Sequence, residues 1–371
     1  MNKHILLMVS SMNAGGAERV AASLADAWVS KGYEVTLLVT FSGRGECFYT
    51  LSKEVDILYL ADKTRTHKLP LLAYISRFLA LRRLVRRLRP NVLVSFLTNV
   101  NVAALLSTLG TKIPTVVCER TYPPQLPVGA SWRQLRRWTY PVASRVIMQS
   151  SEGVRWLETE IPSAHGIVMP NPILYPLPVN EPTISPVSVI APERRILLAV
   201  GRMSEEKGFD SLIRGFSSLA SQHPQWDLVI LGDGPLRPVL ADQVRHLGLA
   251  GRVFMPGRAG NVGEWYQRAD LYVMSSRVEG FPNTLGEAMS HGCPAVSFDC
   301  DTGPRDLIRH DVDGLLAPPG DVAVLAQYLS RLMESDALRS RMATRALEVR
   351  DRYSIERVLA LWDQVFVDII P

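Results

Sequence analysis

Two glutamates, Glu279 and Glu287, stand eight positions apart in the stretch S-R-V-E-G-F-P-N-T-L-G-E-A at 276–288. The apolar run Asp270–Met274 ahead of them predicts a buried strand. Ala288–His291 predicts a short helix, ended by Gly292. One carboxylate then lies on a tight loop and the other inside the first turn of a helix. That end of a helix offers free backbone N–H groups and a positive dipole, which suit a phosphate. Arg202 and Lys207 lie five apart in the glycine-bounded loop Gly201–Gly208. An Arg forks onto two oxygens and a Lys adds a point charge, so the pair suits a diphosphate. With Glu205 and Glu206 beside them, the two cations alone read as a solvated loop. Taken with Glu279 and Glu287 they point to the diphosphate of a sugar nucleotide.

Elements that could position these residues follow from the alternation of apolar runs and amphipathic stretches. Lys3–Ser10 predicts a buried parallel strand. It leads into S-M-N-A-G-G-A-E at 11–18 and a helix from about Glu18 to Lys31. Gly15 and Gly16 fit either a close approach to a ligand or a turn that needs positive φ. Strands follow at Tyr33–Thr40, Asp56–Leu60, Asn91–Phe96, Thr115–Glu119, Arg145–Gln149 and Gly166–Met169. Helices are predicted at Tyr74–Arg89, Asn99–Leu109, Trp132–Tyr140 and Ser151–Glu160. Proline-rich 170–192 reads as a boundary and linker. A second series then runs through strands Arg195–Val200, Trp226–Leu231, Val253–Met255 and Pro294–Phe298. Its helices are Phe209–Gln222, Leu236–Leu247, Val262–Ala269, Val322–Ser335 and Asp336–Tyr353, with amphipathic Ser354–Ile370 closing the chain. The pattern is α/β, with two doubly wound, Rossmann-like domains. Their extents are 1–175, with 354–371 packing back on it, then linker 176–192, then 193–353. In such sheets ligands bind at the C-terminal ends of the strands. That edge carries loops 201–208, 256–261 and 276–287.

The 371 residues allow two domains, and 47% hydrophobic with 21% charged residues is ordinary for globular α/β proteins. The four cysteines show no CxxC spacing and fit buried thiols rather than a metal site. No apolar run reaches the ~18 residues of a membrane-spanning helix, and the apolar start Met1–Ser10 lacks a cleavage pattern. The net charge of +5 is uneven: residues 1–180 hold 21 Lys and Arg against 11 Asp and Glu, the rest 20 against 25. A basic front half implies an anionic partner.

At these residues the chain resembles the family 4 retaining glycosyltransferases of GT-B fold, in which two Rossmann-like domains face a cleft. The resemblance runs along essentially the whole chain. It rests on G-G-A-E at 15–18, G-R…K-G at 201–208, G-D-G-P at 232–235 and Glu279 with Glu287 in the context of G-F-P and E-A-M. It is nearest to bacterial transferases that build lipid-linked glycans, such as those adding N-acetylgalactosamine to undecaprenyl-diphosphate oligosaccharides. It implies that Arg202 and Lys207 bind the donor diphosphate and offset leaving-group charge, that Glu287 holds the ribose, and that Glu279 contacts the donor sugar. It further implies backbone contacts to phosphate at Gly16 and around Asn283, Thr284 and Leu285. Phe281 falls within the same motif, and Arg258 follows Gly257 where the backbone meets the base. Many members carry a histidine after the strand that ends here at Glu119. This chain has Arg120, a candidate for a donor or acceptor phosphate, with Glu119 as a candidate for positioning an acceptor hydroxyl.

The expected reaction moves a sugar, an N-acetylhexosamine or a hexose, from a UDP-sugar to a polyprenyl-diphosphate-linked saccharide. No cofactor and no metal are expected. Asp299-Cys300-Asp301 spells a D-x-D, but it follows a strand of the second domain and reads as a loop near the nucleotide. Arg77, Arg82, Arg83, Arg86, Arg87 and Arg89 interleave with leucines, and W-R-Q-L-R-R-W-T-Y at 132–140 adds aromatics. Both segments suit an anionic membrane surface and equally suit core-packed helices with a solvated basic face. No nucleic-acid motif is present. The expected location is peripheral, at the inner face of the plasma membrane. The rival readings are a GT-B epimerase or phosphorylase-like enzyme, and a non-catalytic nucleotide-sugar binder. A phosphorylase needs a lysine for pyridoxal phosphate, and the only lysine after residue 180 is Lys207.

Overall fold

A computed structural model describes residues 3–13, 15–41, 47–64, 70–125 and 127–370. Ala14 of the glycine loop, the first two residues of the apolar start and Pro371 lie outside the described residues. The chain divides into two compact units, 1–172 with 355–371, and 173–354.

The first unit alternates β1 (His4–Val9), α1 (Gly16–Ser30), β2 (Glu34–Val39), β3 (Val55–Tyr59), α2 (Pro70–Leu88), β4 (Val92–Phe96), α3 (Thr98–Thr108), β5 (Thr115–Cys118), α4 (Ala130–Thr139), β6 (Arg145–Met148), α5 (Ser151–Glu160) and β7 (Gly166–Val168). Its strands are parallel, in the order β3-β2-β1-β4-β5-β6-β7. All six residues of β1 are buried, as expected of a strand with helices on both faces.

In the second unit the series is β8 (Arg195–Val200), α6 (Phe209–Leu219), β9 (Trp226–Leu231), α7 (Arg237–His246), β10 (Val253–Gly257), α8 (Val262–Arg268), β11 (Leu271–Met274), α9 (Asn283–Ser290), β12 (Ala295–Phe298), α10 (Pro304–Leu307), β13 (Gly314–Ala317), α11 (Val322–Glu334), α12 (Asp336–Ala346) and α13 (Val349–Arg352). This sheet runs β10-β9-β8-β11-β12-β13, again all parallel. The last helix, α14 (Ile355–Ile369), returns to the first unit. Its Trp362 meets Trp28 edge-on at 5.3 Å and its Phe366 packs at 5.7 Å from the same ring. Tyr33 donates to Asp363 at 3.0 Å.

Four expectations need correction. The helix after the glutamate loop starts at Asn283, not Ala288, so Glu287 lies in its second turn and no acidic residue lies in the first. The predicted helix 336–353 is broken at 347–348 into α12 and α13. Strand β13 is an element the sequence reading lacked. Segment 176–192 is no free linker: Leu177 and Ile190 are buried in the second unit's core, with Ile184 and Val189 packed beside them.

Candidate active site

In the second sheet the winding reverses between β8 and β11, the place where doubly wound sheets bind ligands. The loops leaving those two strands are zipped together there. Gly208 has φ of +62°, and a Cβ on it would come within 2.2 Å of the Ser275 carbonyl oxygen. Only glycine meets both conditions. Ser275 Oγ donates to the Lys207 carbonyl at 2.9 Å, and the Arg277 amide donates to the Glu206 carbonyl at 2.7 Å.

The zip brings Lys207 to Glu279, with Nζ 2.6 Å from Oε1. Ser276 Oγ donates to the same oxygen at 2.6 Å, and Thr302 Oγ1 donates to the Glu279 carbonyl. Glu279 is only 9% exposed. Buried carboxylates are stable when paired and hydrogen-bonded in this way. Arg202, on the same loop, is exposed, and its side chain has no partner among the described residues. Arg258 is exposed in the same way beyond β10.

Glu287 is 3% exposed and accepts from Tyr266 at 3.1 Å. Tyr272 donates to Thr284 Oγ1 at 2.8 Å, 6.0 Å from the Tyr266 ring. His291, 5.4 Å from that ring, is held below its usual pKa by burial, against the pull of Glu287. The amides of Asn283 and Leu285 already donate to the carbonyls of Phe281 and Pro282, and that of Thr284 has no backbone acceptor among the described residues. The side chains of Phe281 and Leu285 belong to the core, with Phe281 packed on Tyr353 at 5.6 Å. Any contact from Leu285 to a ligand is therefore through the backbone. In the D-x-D segment, Asp299 is held by both Nε and Nη2 of Arg305, at 2.9 and 3.0 Å. Among the described residues no group of three His, Cys, Asp or Glu is placed to hold a metal ion.

In the first sheet the same reversal lies between β1 and β4. Gly15 caps α1 with φ of −142°, an extended conformation, so it does not serve a left-handed turn. A Cβ there would meet the carboxylate end of Glu18, a flexible side chain, 2.3 Å from Oε2. Glu18 supplies a negative charge in the first turn of the helix that Gly16 begins. Leu97, after β4, has φ of +76°, a conformation non-glycine residues hold at a cost.

Beyond β5, Glu119 is 2% exposed. It accepts from Thr98 Oγ1 at 2.9 Å and from Tyr140 at 2.5 Å, and Arg136 stands 3.7 Å away. Burial pushes its carboxyl up, and these partners oppose that. These contacts tie the start of α3 and the end of α4 to the strand end, a structural use in place of the expected positioning of an acceptor hydroxyl. Arg120 lies flat on Phe96, with Cζ 3.5 Å from the ring centre, and donates from Nη1 to Asn171 at 2.6 Å. Burial lowers it to about 10, so it stays charged near neutrality.

Several residues that hold the site carry no sequence signal: Tyr266, Tyr272, Thr302 and Asn171 lie 12 to 51 positions along the chain from their partners, while Ser276, three residues before Glu279, lies within the motif itself. Arg237 is another. Its Nη2 donates to the Met255 carbonyl at 2.7 Å and its Nη1 stands 3.7 Å from Asp233, tying the G-D-G-P loop to the end of β10.

Residues 14–173 match the family model Glycosyltransferase Family 4, and 180–349 match Glycosyl transferases group 1. The chain belongs to the glycosyltransferases of GT-B fold. It is 27% identical over 369 residues to the GalNAc-alpha-(1->4)-GalNAc-alpha-(1->3)-diNAcBac-PP-undecaprenol alpha-1,4-N-acetyl-D-galactosaminyltransferase of Campylobacter jejuni, covering 98% of each chain. It is 28% identical over 387 residues to an exopolysaccharide phosphotransferase of Streptomyces coelicolor, a longer protein of which the match spans 40%. Among solved structures, Anabaena HepE in complex with UDP superposes with a TM-score of 0.79 at 18% identity, over 99% of this chain and 100% of that one.

Proposed function

We propose that this glycosyltransferase is retaining and metal-independent, moving an N-acetylhexosamine or hexose from a UDP-sugar to a polyprenyl-diphosphate-linked saccharide in glycan assembly. The observation that carries the donor site is the Lys207–Glu279 pair across the sheet reversal, with unpartnered Arg202 on the same loop. Lys207 and Arg202 meet the diphosphate and stabilise charge on the departing UDP. Glu279, fixed by Lys207 and Ser276, faces the sugar. Glu287 meets the ribose, Arg258 and Gly257 lie at the base, and Gly16 and the Thr284 amide meet phosphate. The acceptor class is supported by the substrate in the Campylobacter relative's name, and UDP by the ligand in the HepE structure.

None of the described helices is long and apolar enough to cross a membrane. We place the protein peripherally on an anionic surface at the inner face of the plasma membrane. The outward stripe of α2 supports this: Leu72, Ile75 and Leu79 are exposed, and Arg83, Arg86 and Arg87 continue the stripe in a helix without a single acidic residue. Its basic residues are not all surface groups, since Arg82 donates to the carbonyls of Leu106 and Leu109. Apolar residues followed by cations on one exposed face suit an interfacial helix.

Turnover of a UDP-sugar panel with a polyprenyl-diphosphate saccharide, in EDTA, tests the reaction, and product NMR reads the anomeric outcome. Absence of transfer with every donor, inversion, or dependence on added metal would each overturn the corresponding part. Co-sedimentation with vesicles should be strong with anionic lipid and fall for Ile75→Glu with Leu79→Glu.

A further inference from the structure

Arg120 has an energetic problem that packing does not solve. The residue is partly buried, with Nε and Nη2 sealed from solvent, yet no carboxylate pairs with it among the described residues. Its neighbour Glu119 is committed to Thr98, Tyr140 and Arg136. The Phe96 face offsets part of the charge, but a partly buried cation without a counter-ion remains costly. A methionine or leucine would cover Phe96 without that cost.

The pattern of used and unused donors is specific. Nη1 is fixed by Asn171 Oδ1, which also accepts from Gln149 Nε2 at 2.9 Å. Nε and Nη2 have essentially no exposed surface and no acceptor, and Gln149 Oε1 is likewise sealed without a donor. Nε and Nη2 are the two nitrogens of the guanidinium's side-on fork, whose parallel N–H bonds match two oxygens of one phosphate. Buried polar groups are nearly always satisfied, so a fork sealed without an acceptor beside a sealed acceptor without a donor is costly as it stands and gains partners when the side chains that cover it yield to a ligand.

We infer that Arg120, oriented by Asn171 and stacked on Phe96, is an oxyanion-binding residue of the first unit that takes a phosphate side-on. Gln149 Oε1, unpaired beside the fork, would accept from a hydroxyl of the same ligand once uncovered. On the proposed function, on which this assignment rests, the phosphate belongs to the acceptor's diphosphate. The donor's diphosphate has its own cations, Arg202 and Lys207, in the other unit.

The test uses the full chain, with farnesyl diphosphate as probe, farnesol as its uncharged control and inorganic pyrophosphate as the free anion. All are titrated by calorimetry in the presence of saturating UDP. Expected is binding of farnesyl diphosphate but not farnesol, weakened at least tenfold by Arg120→Met and less by Arg120→Lys, which keeps the charge and loses the fork. UDP affinity should stay within twofold in both variants. The Tm of unliganded Arg120→Met should match or exceed that of the parent, because an uncompensated charge has been removed. Pyrophosphate that binds with the same dependence on Arg120 supports the oxyanion site and shows that the prenyl chain is not needed. Farnesyl diphosphate affinity indifferent to both substitutions, with Tm lowered, overturns the inference and leaves Arg120 a core residue. UDP affinity that falls with Arg120 while farnesyl diphosphate binding does not would overturn the acceptor assignment. Failure of the parent to bind UDP at all is a different result, because it sinks the donor reading.

Discussion

Both sheets reverse their winding next to their first strand, between β1 and β4 in one unit and between β8 and β11 in the other. At the second unit's reversal the enclosed charge is neutralised within the protein: Glu279 has Lys207 and Ser276, and the remaining cation, Arg202, stands in solvent. Near the first unit's reversal Glu119 is closed into a network of its own, and the adjacent Arg120 has Nε and Nη2 sealed with no carboxylate partner among the described residues. Parallel topology supplies the same edge twice, but it does not decide what the edge binds. The side chains there decide, through where charge is compensated and where it is left waiting.

The largest effect expected from testing this contrast is at Lys207. Lys207→Ala should lower kcat by about 10²- to 10³-fold, as losing one preorganised charge-stabilising group does. It should also destabilise the fold by about 1–3 kcal/mol, because Glu279 loses a partner while enclosed. Arg202→Ala should lower turnover with stability unchanged within about 0.5 kcal/mol, since the side chain is exposed and unpaired. Steady-state kinetics beside urea unfolding separates the two. Equal stability losses would erase the distinction between compensated and waiting charge.

On the other side of the comparison, Glu119→Ala should cost about 3 kcal/mol in urea unfolding, because Arg136 would be left buried without its carboxylate. Glu119→Gln also removes the charge facing Arg136 but keeps an acceptor for Thr98 and Tyr140, so it should cost less than Glu119→Ala. A Glu119→Ala variant as stable as the parent would show that the network is not structural. Glu287→Ala should weaken UDP binding about tenfold by calorimetry, the loss of one hydrogen-bonding carboxylate. Unchanged affinity would remove Glu287 from the nucleotide site.

The smallest effect concerns His291. Burial holds it below its unfolded value of 6.5, so the unfolded chain takes up its proton first as pH falls. Stability from this group is present above about 6.5 and is lost as pH drops through the lowered folded value. With partial solvent screening the change is under about 1 kcal/mol. The Tm difference between pH 7 and pH 5 should shrink in His291→Phe, and an unchanged difference would assign the acid sensitivity elsewhere.

Most strands were legible because a strand covered on both faces must be a continuous apolar run, as in Ile5–Val9 and Leu228–Leu231. Strand β13 escaped because G-L-L-A at 314–317 is short and enclosed by a turn on each side. The start of α9 escaped for a chemical reason. Pro282 occupies its N-cap without a side-chain cap, and Pro-Asn-Thr reads as loop. The glutamates and cations were legible as types at suggestive spacings. Their pairing was not, because Lys207 meets Glu279 across 72 residues, a distance only the sheet order closes. The Arg120 cradle was the least legible, since Phe96, Gln149 and Asn171 come from three different strand ends.

The return of α14 bears on how the molecule is made. On the ribosome, all of 173–354 is synthesised before the Trp28 surface receives Trp362 and Phe366. The second unit therefore has its complete sequence in hand while the first, begun earlier, still waits for its last helix. Domains ordinarily fold in the order of synthesis. Here the later unit can finish first, and the Trp28 seat of the earlier one is filled only when α14 arrives.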